Sequence, residues 1–331
     1  MTHLSLGFEL WNQASTWPAM LETARRVDRL GYDHLWTWDH LYAISGDPQQ
    51  SVFEAWSILA AWAMATEHVR LGLLVAANTF RNPGLVAKTA VTLDHISGGR
   101  AILGLGSGWF ELEHTAYGID FGSGFGERLD WLDEATHACR RFLDGEMVTS
   151  LEGGRYGFAD AVGLPGPFQQ HLPIMIGGVG ERKTLATVAR YADMWNAFGT
   201  PEVLAQKDAV LRQHCAAVGR DPATIERTVL AEIVIRDDPA DARQAWADML
   251  ANNRTPLEQS DGPDVVWAGT PVQVAEEIQS RMAVGFTTVV CQLPAPYDPE
   301  TIERLITEVR PLVESEEPTQ LRTPTLAGAK D

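Results

Sequence analysis

The chain has 331 residues, 45% hydrophobic and 21% charged, enough apolar material for a large core without disulfide or metal staples. Its formal charge of −18 at pH 7 repels polyanions, which argues against nucleic acid and anionic membrane surfaces as partners. Cys139, Cys215 and Cys291 are far apart and form no CxxC pair, so neither a disulfide framework nor a zinc site is expected.

The chain opens on Met1-Thr2-His3-Leu4-Ser5, which lacks the basic and then apolar pattern of a secretory leader. No apolar run approaches the roughly 20 residues a membrane helix needs. With the unpaired cysteines, this makes a cytoplasmic location the expectation.

Short apolar runs then recur along the chain at residues 4–10, 34–38, 69–76, 101–105, 173–176, 193–197, 228–235 and 287–293. Several are apolar on both faces, as parallel strands are. Between them lie segments with helical spacing, such as Met20, Ala24 and Val27, then Val86, Ala90 and Leu93, then Leu185, Val188 and Ala192. A capping residue followed closely by Pro marks helix starts at Thr16, Asn82, Thr200, Asp221, Thr270 and Asp298. Gly31, Gly98, Gly145, Gly219 and Gly285 mark helix stops. Strands alternating with helices predict an α/β fold, and eight repeats predict a (β/α)₈ TIM barrel. Residues 146–172 and 236–268 break the rhythm and are expected as rim insertions. Residues 1–314 read as one barrel domain, and 315–331 as a polar C-terminal tail.

In such barrels the site lies at the C-terminal ends of the strands, so the residues just after each strand carry the chemistry. After the second strand comes Trp36-Thr37-Trp38-Asp39-His40, where Asp39 and His40 are candidates for acid/base work or helix-cap residues. After the third, Asn78 and Thr79 could donate to a flat ligand backed by Leu74 and Val75, or simply cap a helix. After the fourth, Gly104-Leu105-Gly106-Ser107-Gly108-Trp109 lets a backbone approach a ligand closely, but its spacing is not the dinucleotide fingerprint. Glu111, Glu113 and His114 follow. After the fifth, Gly177-Gly178-Val179-Gly180-Glu181-Arg182-Lys183 opens a helix, as an anion site does, with Arg182 and Lys183 as possible extra charge. Trp109, Trp131 and Trp195 could line a flat pocket, although Trp131 fits the packed helix shell better. The histidines show no HxxxH spacing and no GxSxG elbow occurs, so metal binding and serine hydrolysis have no support.

Trp38-Asp39-His40, Thr79-Phe80-Arg81-Asn82-Pro83, Asp94-His95-Ile96-Ser97-Gly98-Gly99-Arg100, the 104–109 stretch and Ile176-Gly177-Gly178-Val179-Gly180-Glu181-Arg182-Lys183-Thr184-Leu185 together resemble the luciferase-like monooxygenase superfamily, in particular its F420-dependent oxidoreductase branch. The resemblance implies a barrel with an insertion near strand seven and a flavin-like ring held in its mouth. It implies Asp39 and His40 near the deazaflavin ring, and a non-prolyl cis peptide at Leu74-Val75 behind it. It implies Gly106, Ser107, Gly108, Trp109 and Glu113 along the cofactor, with Gly177, Gly178, Gly180 and Glu181 near the phosphate. One position departs: Trp109 stands where the family's sugar-phosphate dehydrogenases carry an acidic residue, which points away from that activity. The expectation is therefore an F420-dependent oxidoreductase passing a hydride between the deazaflavin C5 and a small organic substrate, and the resemblance implies a homodimer. The alternatives are an FMNH₂-dependent monooxygenase, which would bind FMN, and a cofactor-binding protein without turnover.

Overall fold

Alternation of apolar runs and capped helices produces the expected barrel in the structure, a computed structural model that describes residues 3–259, 262 and 264–315. Eight parallel strands close on themselves: β1 (Ser5–Leu10), β2 (His34–Thr37), β3 (Arg70–Leu73), β4 (Ala101–Gly106), β5 (Ile174–Gly177), β6 (Met194–Ala197), β7 (Glu226–Ile235) and β8 (Thr288–Leu293). The ring shuts where Ser5 of β1 lies opposite Thr288 of β8. The α-helices around it, among the described residues, are α1 (Trp17–Arg29), α2 (Ala55–Ala65), α3 (Pro83–Ser97), α4 (Glu111–Tyr117), α5 (Phe125–Leu143), α6 (Thr184–Tyr191), α7 (Pro201–Val218), α8 (Pro239–Asn252), α9 (Pro271–Met282), α10 (Pro299–Arg304) and α11 (Arg310–Glu314). Strand bounds differ from the expected ones by one or two residues, except in the third run. There the strand stops at Leu73, a cis peptide joins Leu74 to Val75, and Ala76–Ala77 resumes pairing against β4.

The helix caps follow the sequence signals closely. Thr16, Asn82, Thr200, Thr270 and Asp298 each accept a first-turn amide, and Thr270 forms a reciprocal capping box with Gln273. Asp221 caps only a single 3₁₀ turn, because β7 begins immediately after it. Gly98 closes α3 at φ 68°, a left-handed conformation that other residues adopt only at a cost.

Period-2 alternation sorts the strand residues into two cores. Leu6, Phe8 and Leu10 point outward to the helices, in the large core that the shell buries. Trp36, Ile102, Met175, Met194 and Val290 point inward and plug the barrel, with Leu74 and Val75 on top of them. Small residues make room for the plug: a Cβ at Gly72 would lie 2.4 Å from the Trp36 ring.

The two insertions behave differently. Within 146–172 the pair Met147–Val148 and Ala161–Val162 forms a small antiparallel ribbon separate from the barrel sheet. Within 236–268, α8 packs on β7, but the strand Val266–Gly269 pairs in parallel with residues 232–235 of β7. This segment is thus hydrogen-bonded to the barrel sheet as a ninth strand off the ring, rather than lying wholly outside it. Residues 316–331 of the expected tail lie outside the described residues. Among the described residues, no helix is long and apolar enough to cross a membrane.

Candidate functional site

The C-terminal ends of the strands surround a cavity of ≈ 600 Å³, within the range of small-molecule sites. Its back wall is Leu74, Val75 and Ala77, on the bulge between β3 and the resumed strand. Gly106, Ser107, Gly108 and Trp109 form one side, and Gly177, Gly178, Val179 and Gly180 another. Asp39 and His40 complete it from β2. Eleven of the residues singled out in the sequence are therefore brought together: Asp39, His40, Leu74, Val75, Gly106, Ser107, Gly108, Trp109, Gly177, Gly178 and Gly180.

Asn78, Glu113 and Glu181 do not line the cavity. The Asn78 amide donates to the Gly106 carbonyl at 2.9 Å, continuing the strand pairing, and the residue is buried. Glu181 turns toward α7, where it pairs with Lys207 at 2.9 Å. Glu113 is buried beneath His40 and accepts from its Nδ1 at 2.9 Å and from the Leu41 amide at 2.8 Å. A carboxylate on Nδ1 sets the tautomer and ring orientation of the histidine. Nε2 is then the ring nitrogen with no protein partner among the described residues. Glu113 thus holds His40 in place from outside the cavity lining.

Asp39 is also tied down. It accepts from Arg81 at 2.6 Å and from the Ala77 amide at 3.1 Å, which fixes the bulge against β2. Burial pushes its carboxyl above the usual range although the Arg81 guanidinium pulls the other way. Thr79 and His114, next to these motifs, form a structural chain. His114 Nδ1–H donates to the Phe110 carbonyl at 2.7 Å, so its Nε2 accepts from the Thr79 hydroxyl at 2.6 Å.

The 177–183 loop is divided between two faces. Residues 177–180 and Thr184 face the cavity at the start of α6, where amides and the helix dipole suit an anion. The loop is braced by the Trp195 indole, which donates to the Gly178 carbonyl at 2.8 Å, and by the Gly178 amide on the Asn196 carbonyl at 3.0 Å. Arg182 and Lys183, however, lie in the cleft between α5 and α6, and Lys183 pairs with Asp130 at 2.7 Å. These side chains turn away from the cavity and add no charge to it. Trp131 belongs to the helix shell, stacked under the Arg155 guanidinium, and Trp195 is fully buried. Neither lines the cavity.

The sequence reading missed Glu9, Thr184, Asn196, Phe198 and Gln292, all of which line the cavity. Glu9 had a signal: it is a carboxylate within an apolar strand, and such groups are seldom buried without a task. It lies on the cavity floor, fully buried, with one oxygen accepting from Gln292 at 3.0 Å and Oε1 without a partner among the described residues. Desolvation raises its pKa well above 4.5, only partly countered by the Gln292 hydrogen bond.

A family model described as luciferase-like monooxygenase matches residues 3–264. Among curated relatives, an F420-dependent glucose-6-phosphate dehydrogenase of Kineococcus radiotolerans is 27% identical, over 94% of this chain and 97% of its own. An F420-dependent hydroxymycolic acid dehydrogenase of Mycobacterium tuberculosis is 31% identical, over 67% of this chain and 60% of its own. Among solved structures, an F420-dependent secondary alcohol dehydrogenase in complex with an F420–acetone adduct superposes with a TM-score of 0.78 at 22% identity, covering 95% of this chain and 100% of that one. With its barrel, its bulge after β3 and its glycine loops in order, the chain belongs to the luciferase-like monooxygenase family.

Proposed function

We propose that the protein is an F420-dependent oxidoreductase, in which a hydride passes between the deazaflavin C5 and a small organic substrate. The observation that carries this reading is the cavity itself: an apolar back wall at Leu74 and Val75, two glycine-lined sides, and an imidazole fixed by a buried carboxylate at its edge. The residues fit the cofactor. A side chain at Gly178, where φ is 126°, would be strained, and the unpartnered Oε1 of Glu9 leaves a polar atom for a ligand on the floor. Residues 177–180 and Thr184, at the start of α6, would hold the phosphate, and residues 106–109 the side chain leading to it. When bound, F420 supplies a two-electron hydride carrier.

The protein's own part is orientation, exclusion of water and control of one proton. His40, held by Glu113, is the proton-handling group at the edge. Glu9, whose burial favours the neutral acid, is a second proton-bearing group on the floor. The family also includes flavin monooxygenases, so the deciding experiment is titration of the purified protein with F420 and with FMN, followed by fluorescence. Saturable F420 binding with catalytic turnover is expected. Tight FMN binding with no F420 binding would overturn the reading.

A further inference from the structure

A second chamber of ≈ 410 Å³ adjoins the first on the side of β1, β7 and α8. Trp38, Trp109, Phe198, Leu230 and Gln292 line both, so they form a threshold between the two spaces. Beyond the threshold the apolar walls are Trp11, Leu250 and Val265. The Trp11 and Trp38 rings lie 4.8 Å apart at 38°, a continuous aromatic surface. Ser45 and Thr255 also line the chamber, but their hydroxyls are bonded to each other at 2.7 Å.

The charge pattern is as informative as the shape. Among the described residues, neither chamber is lined by Lys or Arg, and the one ionisable group lining the second is the buried Glu232. The chain has no Lys or Arg between Arg254 and Arg281, the stretch that contributes Thr255 and Val265. An anion entering here would lose its water, meet no counter-charge and face an acidic protein. A phosphorylated sugar would bring the same uncompensated charge.

The geometry points to an uncharged, largely apolar carbonyl compound, or the corresponding alcohol, with a ring-sized body, as the ligand of the second chamber. This rests on the deazaflavin filling the first. The body lies against Trp11 and Trp38, and the oxygen reaches the threshold, on the side of Gln292, Glu9 and His40. In the reducing direction the bound deazaflavin would supply the hydride that adds to the carbonyl carbon. The C=O π pair moves to oxygen, and a proton from the protein completes the alcohol.

The test is calorimetric titration of the full chain, with and without F420, using 4-phenylcyclohexanone, 4-(4-oxocyclohexyl)benzoate and glucose 6-phosphate. The neutral ketone is expected to bind about tenfold or more tighter than its carboxylate analogue, and the sugar phosphate not to saturate. Leu250→Trp, which narrows the second chamber alone, is expected to weaken the ketone about tenfold or more while F420 affinity stays within about twofold. Equal affinity of wild-type protein for ketone and carboxylate overturns the ligand class, and that comparison needs no variant. Ketone binding unchanged in a folded Leu250→Trp protein overturns the chamber. Loss of F420 binding with ketone discrimination intact supports the chamber and overturns the cofactor reading instead.

Discussion

His40 and Glu113 divide one task between two residues. Glu113 holds Nδ1 from below, and Nε2 is left for the contents of the cavity. Removing the ring should therefore spare binding and cost turnover. His40→Ala is expected to keep F420 affinity nearly unchanged and to lower the single-turnover rate by about 10²–10⁴-fold, the usual scale for a positioned acid/base group. An unchanged rate would remove His40 from the mechanism. The glycines at the two loops are needed for different reasons. A Cβ at Gly106 would sit 2.4 Å from Val75 Cγ2, so Gly106 is required for the bulge to pack. At Gly178 the added Cβ meets only Thr184 Cγ2 at 3.3 Å, but φ is 126°. Gly106→Val should thus lower both stability and F420 affinity. Gly178→Val should act mainly on the loop and on affinity. Thermal melts set beside F420 titrations distinguish the two.

At the scale of elements, the barrel interior is packed by pairing large residues with absent ones. His34 and Trp36 both project inward from β2, two residues apart, and the Trp36 indole donates to His34 Nδ1 at 2.6 Å. Gly7 on β1 and Gly72 on β3 vacate the space on either side of them. An alanine at Gly72 would place its Cβ 2.8 Å from the Ile102 carbonyl as well as against the Trp36 ring, and backbone cannot retreat as a flexible side chain can. Gly72→Ala is expected to destabilise the fold by about 1–3 kcal/mol, the usual cost of overpacking. A urea midpoint equal to wild type would show that the plug has slack. The motif from Asp94 to Arg100 acts at this scale too. Asp94 accepts from both nitrogens of Gln169, and Arg100 donates to the carbonyls of Ala63, Thr66 and Val69. It ties the 146–172 insertion and the end of α2 to α3, which is scaffolding remote from the cavity.

Two buried groups give the whole molecule a pH-dependent stability. Desolvation holds the imidazole of His34 down to about 3, against an ordinary value near 6.5. Below pH 6.5 the unfolded chain takes up a proton that the folded chain refuses, so stability falls as pH drops toward 3, by at most about 1.4 kcal/mol per unit. Glu9 acts in the opposite sense. Its raised pKa means that the folded chain keeps a proton which the unfolded chain releases above about 4.5. Its contribution is therefore full below that pH and declines as pH rises toward the folded pKa. Glu9→Gln removes this second loss, so the variant should gain stability over wild type as the buffer moves from pH 5 to 8, measured by urea unfolding at each pH. A parallel pair of curves would place Glu9 in a more solvated setting than the barrel floor. The net charge of −18 acts on the anionic cofactor at long range as repulsion. Raising ionic strength screens it, so the F420 association rate should rise with salt, by less than about tenfold.

The local pattern of the chain was sufficient for the order and type of its elements. Alternating apolar runs, capped starts such as Asn82-Pro83 and stops such as Gly98 act over a few residues, and all strands but the third fell within a residue or two of their expected ends. Closure of those strands put the residues after them at one mouth, so Asp39, His40 and the glycine loops were legible as a set. Side-chain direction was not legible in the same way. Glu113, Glu181, Arg182 and Lys183 sit beside the right motifs, yet each belongs to a partner elsewhere or to an outward face, because the packing of neighbouring helices decides which side chains turn inward. Glu9 and Trp11 lie far from Leu250 and Gln292 in the sequence, and only barrel closure and the docking of α8 assemble them into a floor and a second chamber. Local propensities set the elements. The cavity's contents come from contacts across more than two hundred residues, which no short-range signal encodes.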